Sequence, residues 1–256
     1  MEIYRFIILL VLCSFSNTIL LSQPKVIAHR GFWTYNNAPH NSIEALKNSI
    51  ENRIWGNEFD VLMTSDGKLI VNHDNKIDGL VISETPYRKF KKKKLSNGEK
   101  IPLLKEYLSV CKNSTTTRLV LELKPLPNKD SEMEMVKGVV TMVRNMNMED
   151  KVEYISFSLD MCKELHKLNP KAKISFLDGN LSPEKIKEIG LSGLDYHYKV
   201  FEKNPQWIDE AHKLGLTVNV WTVNDERIMK NVVKKNFDFI TTDYPDKLQN
   251  IIESCK

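Results

Sequence analysis

Three short segments in the first third of the chain carry side chains that could work on a phosphate: His29-Arg30-Gly31, Glu58-Phe59-Asp60 and His73-Asp74. A fourth, Leu121-Glu122-Leu123-Lys124, adds a carboxylate and a lysine. Glu58 and Asp60 stand two positions apart, so on a strand both side chains emerge on one face. Two carboxylates that close repel one another and take up a proton unless a cation neutralises them. With Glu122 they offer three hard oxygen donors, which suits one divalent cation, Ca²⁺ or Mg²⁺, rather than zinc. Imidazole titrates near neutrality, so a histidine can accept a proton from an attacking oxygen or give one to a departing alkoxide. Arg30 presents a planar fork, and Lys124 a point charge, to non-bridging phosphate oxygens.

Such groups act together only if the backbone brings them to one place. Each segment lies at the end of an aliphatic or β-branched run, and such runs read as strands at Val26–His29, Glu58–Thr64, Lys68–Asp74 and Arg118–Lys124. Further strands are predicted at Tyr154–Ser158, Ile174–Leu177, Gly193–Val200, Thr217–Val223 and Phe237–Thr242. The Asp66-Gly67 turn makes a hairpin of the second and third. Helical patterns follow most strands, among them 42–53 and 131–145, with Asp160, Ser182 and Asn224 as N-caps for three later ones. Alternation of apolar strands and helices predicts a mostly parallel sheet. The number of units, and the absence of a GxGxxG loop, favour closure into an α/β (β/α)₈ TIM barrel, which places its active site at the strand carboxyl ends. A short insertion at about 75–100 separates the second and third barrel strands and carries Lys89 and Lys91 to Lys94, which read as a solvated surface.

The four segments, in this order, closely resemble the glycerophosphodiester phosphodiesterase family, whose pattern runs from an HRG start through ExD and HD pairs to an ELK segment. Val220-Trp221-Thr222-Val223-Asn224 is similar to the late WTVN segment of that family, and Thr242-Asp243-Tyr244-Pro245 to its closing TDxP. The resemblance covers nearly all of the chain after residue 24. It implies the same barrel, a divalent metal on Glu58, Asp60 and Glu122, and His29 and His73 as the general acid/base pair. It also implies hydrolysis of a small-molecule glycerophosphodiester to sn-glycerol 3-phosphate and an alcohol, with Trp221 as an apolar wall for the glycerol or the alcohol. One departure stands out. The family usually has Pro-Glu-Asn-Thr after HRG, whereas this chain reads Pro39-His40-Asn41-Ser42, which puts substrate preference in question. Alternatives within reach of the same residues are a phospholipase C- or D-like activity on intact lipids and a non-catalytic phosphate-ligand binding protein of the cell envelope.

At 256 residues, 41% hydrophobic and 27% charged, the chain has the composition of one folded domain with a sizeable core. A net charge of +4 suits an anionic substrate, lacks the dense basic stripe that nucleic-acid binding requires, and allows at most weak peripheral membrane contact. Nothing in the sequence sets an oligomeric state. Arg5 and the apolar Phe6–Leu12 stretch mark residues 1–22 as an expected export signal, leaving 23–256 as the barrel domain in the periplasm or outside the cell. A lipid-modified Cys13 is the alternative fate, although Leu12 before it is a poor fit to such processing. The remaining Cys111, Cys162 and Cys255 are odd in number and form no CxxC, so buried or unpaired thiols are expected.

Overall fold

The computed structural model describes residues 23–255. The expected export signal at 1–22, with Cys13, lies outside the described residues. The described residues form eleven strands: β1 (Lys25–Ala28), β2 (Gly56–Met63), β3 (Leu69–Val71), β4 (Lys76–Ile77), β5 (Leu80–Val81), β6 (Arg118–Leu123), β7 (Val152–Ser156), β8 (Ile174–Phe176), β9 (Gly193–His197), β10 (Thr217–Trp221) and β11 (Phe239–Thr242). Eight of them, β1, β2 and β6 to β11, run parallel to one another, and β1 pairs both β11 and β2, so the sheet closes on itself. Closure is the predicted (β/α)₈ barrel.

Alternation along each strand sorts side chains between two cores. Outward residues such as Phe59, Leu121 and Tyr154 pack under the surrounding helices in one large cluster. Inward ones, Ile27, Val120, Ile155, Leu177 and Phe239, form a small separate cluster inside the barrel. Trp55 stacks on Phe239 at 4.6 Å and closes the amino-terminal end. Between that floor and the carboxyl-terminal mouth lies a polar layer, in which the Asn219 amide donates to Asp195 at 2.8 Å and to Thr241 at 2.9 Å. A filled interior leaves only the mouth open to a ligand.

Several helices begin where short polar side chains cap them. Ser42 accepts from the Ala45 N–H at the start of α1 (Ile43–Glu51), and the insertion's Glu99 accepts from the Ile43 and Glu44 amides at 2.9 and 3.1 Å. The helix after β6, α3 by chain order (Lys129–Asn145, following α2 at Leu104–Cys111), starts on Asn128. Ser182 caps α5 (Pro183–Ile189) as predicted. Asp160 and Asn224 do not cap. Ser158 caps α4 (Leu159–Leu168), two residues ahead of Asp160, and Asp225 caps α8 (Glu226–Val232), one residue beyond Asn224. In each case the neighbouring short polar side chain has the extended backbone a cap requires, and Asn224 is used elsewhere.

Several strands are shorter than the apolar runs, because pairing stops at the barrel mouth, whereas β2 starts earlier than predicted, at Gly56. Lys68–Asp74 contracts most, to β3, and Gly193–Val200 is cut as well: β9 ends at His197, its last residue paired with Trp221, and the chain turns at once into α6 (Tyr198–Lys203). α7 (Trp207–Lys213) and α9 (Pro245–Ser254) complete the helices. Within the insertion, β4 and β5 pair as a small antiparallel hairpin, Ile82 and Phe90 anchor the segment in the core, and Lys89, Lys91, Lys92 and Lys94 are exposed. Lys93 pairs with Asp78. Among the described residues Cys111 and Cys162 are buried free thiols and Cys255 is an exposed one, and no helix is long and apolar enough to cross a membrane.

Candidate active site

The site begins in the turn after β1. Arg30 and Gly31 both take positive φ, 57° and 83°, and a Cβ on Gly31 would stand 2.7 Å from that of Ala45 in α1. Glycine is required here by conformation and by the close approach of the helix. The strained turn aims the Arg30 N–H at Glu58 Oε2, 2.7 Å away, and leaves His29 and the arginine side chain at the mouth.

β2 supplies Glu58 and Asp60 on its inward face, while Phe59 between them stacks outward on Tyr107. Asp60 lies in register with Glu122 of β6. One carboxylate oxygen from each of Glu58, Asp60 and Glu122 lies within 4.8 Å of the others, and all three residues are buried. Asn41, itself at φ 59°, grips Asp60 from both sides: its amide donates to Oδ2 at 2.8 Å and its carbonyl accepts from the Asp60 N–H at 3.0 Å. Lys124 Nζ stands 2.9 Å from Glu122 and 3.4 Å from Asp60, and Arg30 Nε 3.8 Å from Asp60.

These partners leave the carboxylates incompletely satisfied. Glu58 Oε1 and Glu122 Oε1 are buried without a hydrogen bond, since the Lys124 contact has ion-pair distance but not hydrogen-bond alignment. Burial, then the charges of Asp60 and Glu122, push the Glu58 carboxyl well above the ordinary range. Burial and Asp60 push Glu122 up to about 7, against the pull of Lys124. Burial also opposes the Lys124 charge, but Glu122 and Asp60 outweigh it and raise the amine. Buried acidic oxygens with too few donors are what a divalent cation would satisfy, so the donor set fits a metal of the oxygen-seeking kind.

The two histidines reach this cluster from opposite sides. His29 Nδ1 lies 2.7 Å from Asp243 Oδ1, just beyond β11. Asp243 is fixed in turn by Trp33 Nε1 at 3.3 Å and by Asn224, whose carbonyl accepts from the Asp243 N–H. Burial works against its charge, but the hydrogen bond from His29 and those of Trp33 and Asn224 prevail and hold the carboxyl below its ordinary value. His73 arrives by a different route. β2 runs two residues past the level of its neighbours, turns at Gly67, and returns as antiparallel β3, whose continuation puts the Asn72 N–H on the Asp60 carbonyl at 3.1 Å. His73 therefore follows a strand that is not part of the barrel, yet it lines the same cleft, with Nδ1 on the exposed Asp74 at 2.8 Å.

The cleft measures about 170 Å³ and has two unlike halves. Strands β1, β2 and β6 contribute His29, Arg30, Glu58, Glu122 and Lys124, while β7, β8 and β10 contribute Ile155, Phe157, Leu177 and Trp221. All eight residues singled out in the sequence thus converge, seven of them on the cleft wall and Asp60 just behind it. Asp243, Asn41 and Phe157 were not singled out. The TDYP and PHNS motifs contain the first two, but only the fold shows that they hold His29 and Asp60. Where β9 gives way to α6, Tyr196 points outward to Phe201 and Trp207, His197 sits 5.3 Å from Trp221, and Tyr198 opens the helix. His40, the departure from the family pattern, packs edge-on against Trp33 at 4.1 Å rather than in the cleft. Burial first and Arg30 second lower its pKa.

Comparison with known proteins agrees with this geometry. The model of the "Glycerophosphoryl diester phosphodiesterase family" matches residues 29–247. A glycerophosphodiester phosphodiesterase of Bacillus altitudinis is 29% identical over 91% of this chain and 99% of its own length. A glycerophosphodiester phosphodiesterase structure from Parabacteroides distasonis is 43% identical with a TM-score of 0.89, covering 91% of this chain and 98% of that one. A phosphodiesterase from Oleispira antarctica, solved with its product sn-glycerol-3-phosphate, is 25% identical with a TM-score of 0.79, covering 90% and 97%. With a match that runs from the first histidine of the cleft into the last helix, the chain belongs to the glycerophosphoryl diester phosphodiesterase family and is a phosphodiester hydrolase.

Proposed function

We propose that the chain hydrolyses water-soluble glycerophosphodiesters to sn-glycerol 3-phosphate and a free alcohol, using one divalent cation, Ca²⁺ or Mg²⁺, held by Glu58, Asp60 and Glu122. The observation that carries this reading is the cluster of three buried carboxylates, Glu58, Asp60 and Glu122, in which Glu58 Oε1 has no hydrogen bond and Glu122 Oε1 has only the Lys124 ion pair, beside a cleft that both histidines line. The Oleispira antarctica relative with sn-glycerol-3-phosphate supports the product. When bound, the cation supplies Lewis-acid stabilisation of the phosphoryl charge and neutralises the three ligands.

The protein's own groups do the rest. An ionised Asp243 accepts a hydrogen bond from the Nδ1–H of His29, which fixes the tautomer that leaves Nε2 with its lone pair toward the cleft as the base for the attacking oxygen. His73, 36% exposed on its side chain and paired with Asp74, exchanges protons with solvent and protonates the departing alkoxide. Arg30 and Lys124 hold non-bridging oxygens and gain most as charge grows on phosphorus. Trp221 closes the apolar side. The deciding experiment is turnover of a glycerophosphodiester panel with and without chelator, scored as sn-glycerol 3-phosphate released. Calcium or magnesium should restore chelated enzyme, and full activity in excess chelator would overturn the metal assignment.

Export belongs to the same proposal, resting on the charged start and apolar core of the first 22 residues. Sequencing of the mature amino terminus should begin after residue 13 and before residue 25, whereas an intact Met1 on protein from the soluble cytoplasm would refute it.

A further inference from the structure

The lysines of the insertion take no part in the chemistry of the cleft, and their distribution differs from that of an ordinary solvated face. Residues 75–100 contain eight lysines or arginines and three acidic side chains, a net +5, while the whole chain carries +4. The rest of the chain therefore comes to −1. Two of the three acids are already engaged, Asp78 with Lys93 and Glu99 with the amides that open α1. Lys76, Arg88, Lys89, Lys91, Lys92 and Lys94 are exposed and make no ion pair among the described residues. Packing gathers them. Backbone bonds from Phe90 and Lys91 to Tyr87, and from Lys93 to Phe90, wind the segment about the fully buried Phe90 ring, so Arg88, Lys89, Lys91 and Lys92 are left on its outer side. Crowding like charges costs self-repulsion, which an anionic surface would relieve.

The insertion is tied to the mouth end of the barrel. The Thr85 carbonyl accepts from the Ser65 N–H at 3.2 Å and the Tyr87 N–H donates to Asp66 at 2.8 Å, both in the turn between β2 and β3, and Glu99 caps α1 where it leaves the turn after β1. The basic face and the cleft thus look out from one end of the molecule. The large apolar side chains that are exposed among the described residues belong to that end too: Tyr35 follows β1, Leu80 lies in β5 of the insertion, and Phe157 follows β7. A soluble polyanion offers those three nothing, whereas the headgroup region of a bilayer takes cations at the phosphates and apolar side chains just beneath. Three are too few to insert the barrel, so charge supplies the attachment. We infer that the insertion is a docking surface for an anionic lipid bilayer, held reversibly with the mouth of the barrel turned to the membrane. This goes beyond the glycerophosphodiesterase reading, because it concerns where the enzyme works, and adsorption is measured without turnover.

The test sediments the full chain with vesicles of phosphatidylcholine alone and with vesicles in which one-third of the lipid is phosphatidylglycerol. Binding should be confined to the anionic vesicles and should be lost as salt rises from about 0.1 M to about 1 M, which shortens the screening length from about 10 Å to about 3 Å. Each lysine near such a surface contributes roughly fivefold, so the combined variant Lys89→Gln, Lys91→Gln, Lys92→Gln and Lys94→Gln should partition at least about 100-fold more weakly. Arginine at the same four positions should keep the binding. Removing equal charge elsewhere, by Lys163→Gln, Lys171→Gln, Lys187→Gln and Lys213→Gln on other exposed faces, should weaken it by less than about fivefold. Turnover of glycerophosphocholine in free solution should be unchanged in every variant. Equal binding to neutral vesicles, equal losses in the two glutamine variants, or capture by heparin beads with none by anionic vesicles would each overturn the docking surface, the last in favour of a soluble polyanion. Vesicle binding without turnover would instead strike only the glycerophosphodiesterase reading.

Discussion

At the scale of single residues, Glu58 and Glu122 share a feature that makes them testable apart from catalysis: each has a buried oxygen with no hydrogen bond. Glu58→Gln and Glu122→Gln keep shape and remove charge, so both variants should fold, bind Ca²⁺ or Mg²⁺ at least about tenfold more weakly by calorimetry, and lose most activity. Unchanged metal affinity in both would place the cation elsewhere. His29→Ala and His73→Ala should each lower kcat by about 10² or more, with the double variant little worse than either if the rings act as one unit. Near-normal turnover by His73→Ala would remove it from the reaction. Asp243→Asn retains the shape of the side chain but cannot carry the charge that Nδ1 of His29 faces at 2.7 Å. It should reduce kcat by about 10² or more and shift the acid limb of the pH profile, with KM moving little. An unaltered pH profile would reduce Asp243 to a structural contact.

Two local elements deliver these residues. The turn after β1 depends on Gly31, whose positive φ and 2.7 Å approach to Ala45 leave no room for a side chain. Gly31→Ala should cost about 1–3 kcal/mol, seen as a lower Tm, and should impair activity beyond that loss because the Arg30 N–H no longer meets Glu58. A melt unchanged from wild type would show that the turn relaxes freely. The β2–β3 hairpin is the other device. It provides metal-side carboxylates on the way out and a histidine on the way back, with β3 paired to β2 on one edge and bridged through Ile70 and Val71 to Leu103 and Pro102 on the other.

For the whole molecule, the cluster of raised carboxyls couples metal, pH and stability. Glu122 is pushed up to about 7 in the fold against an ordinary 4.5, and Glu58 is raised in the same direction. A raised folded value means that the fold holds protons the unfolded chain has released, so the stabilisation is present below about pH 4.5 and is lost as pH rises through about 7. Metal-free protein should therefore show a falling Tm between about pH 5 and pH 8, and added Ca²⁺ or Mg²⁺ should raise Tm most at the alkaline end, where its ligands need shed no protons. Asp195, pushed by burial to about 7, contributes the same slope and should persist when metal is present. A Tm that climbs with pH in chelator would contradict this balance. The same overall view bears on substrate size: exposed large apolar side chains among the described residues are Tyr35, Leu80 and Phe157, too few to anchor the barrel in a bilayer. We expect kcat/KM for glycerophosphocholine to exceed that for the matching diacyl lipid in micelles, and the reverse order would favour the phospholipase alternative.

Strand ends, apolar runs and the order of short motifs are local properties, and from them the sequence alone determined the barrel, the convergence of Glu58, Asp60 and Glu122, and the presence of His29 and His73 at one mouth. Period-two alternation is enough to put Glu58 and Asp60 on one face, and closure of a parallel sheet is enough to bring Glu122 beside them. Helix starts were less legible, because Ser158 and Asp160, or Asn224 and Asp225, differ as caps only in the backbone angles that packing imposes. Contacts between residues far apart in the chain were decided by tertiary structure. Asp243 meets His29 across 214 positions, and the Phe157–Trp221 contact joins β7 to β10. No period or spacing records such meetings: they exist because barrel closure sets β11 against β1 and points both loops over one mouth.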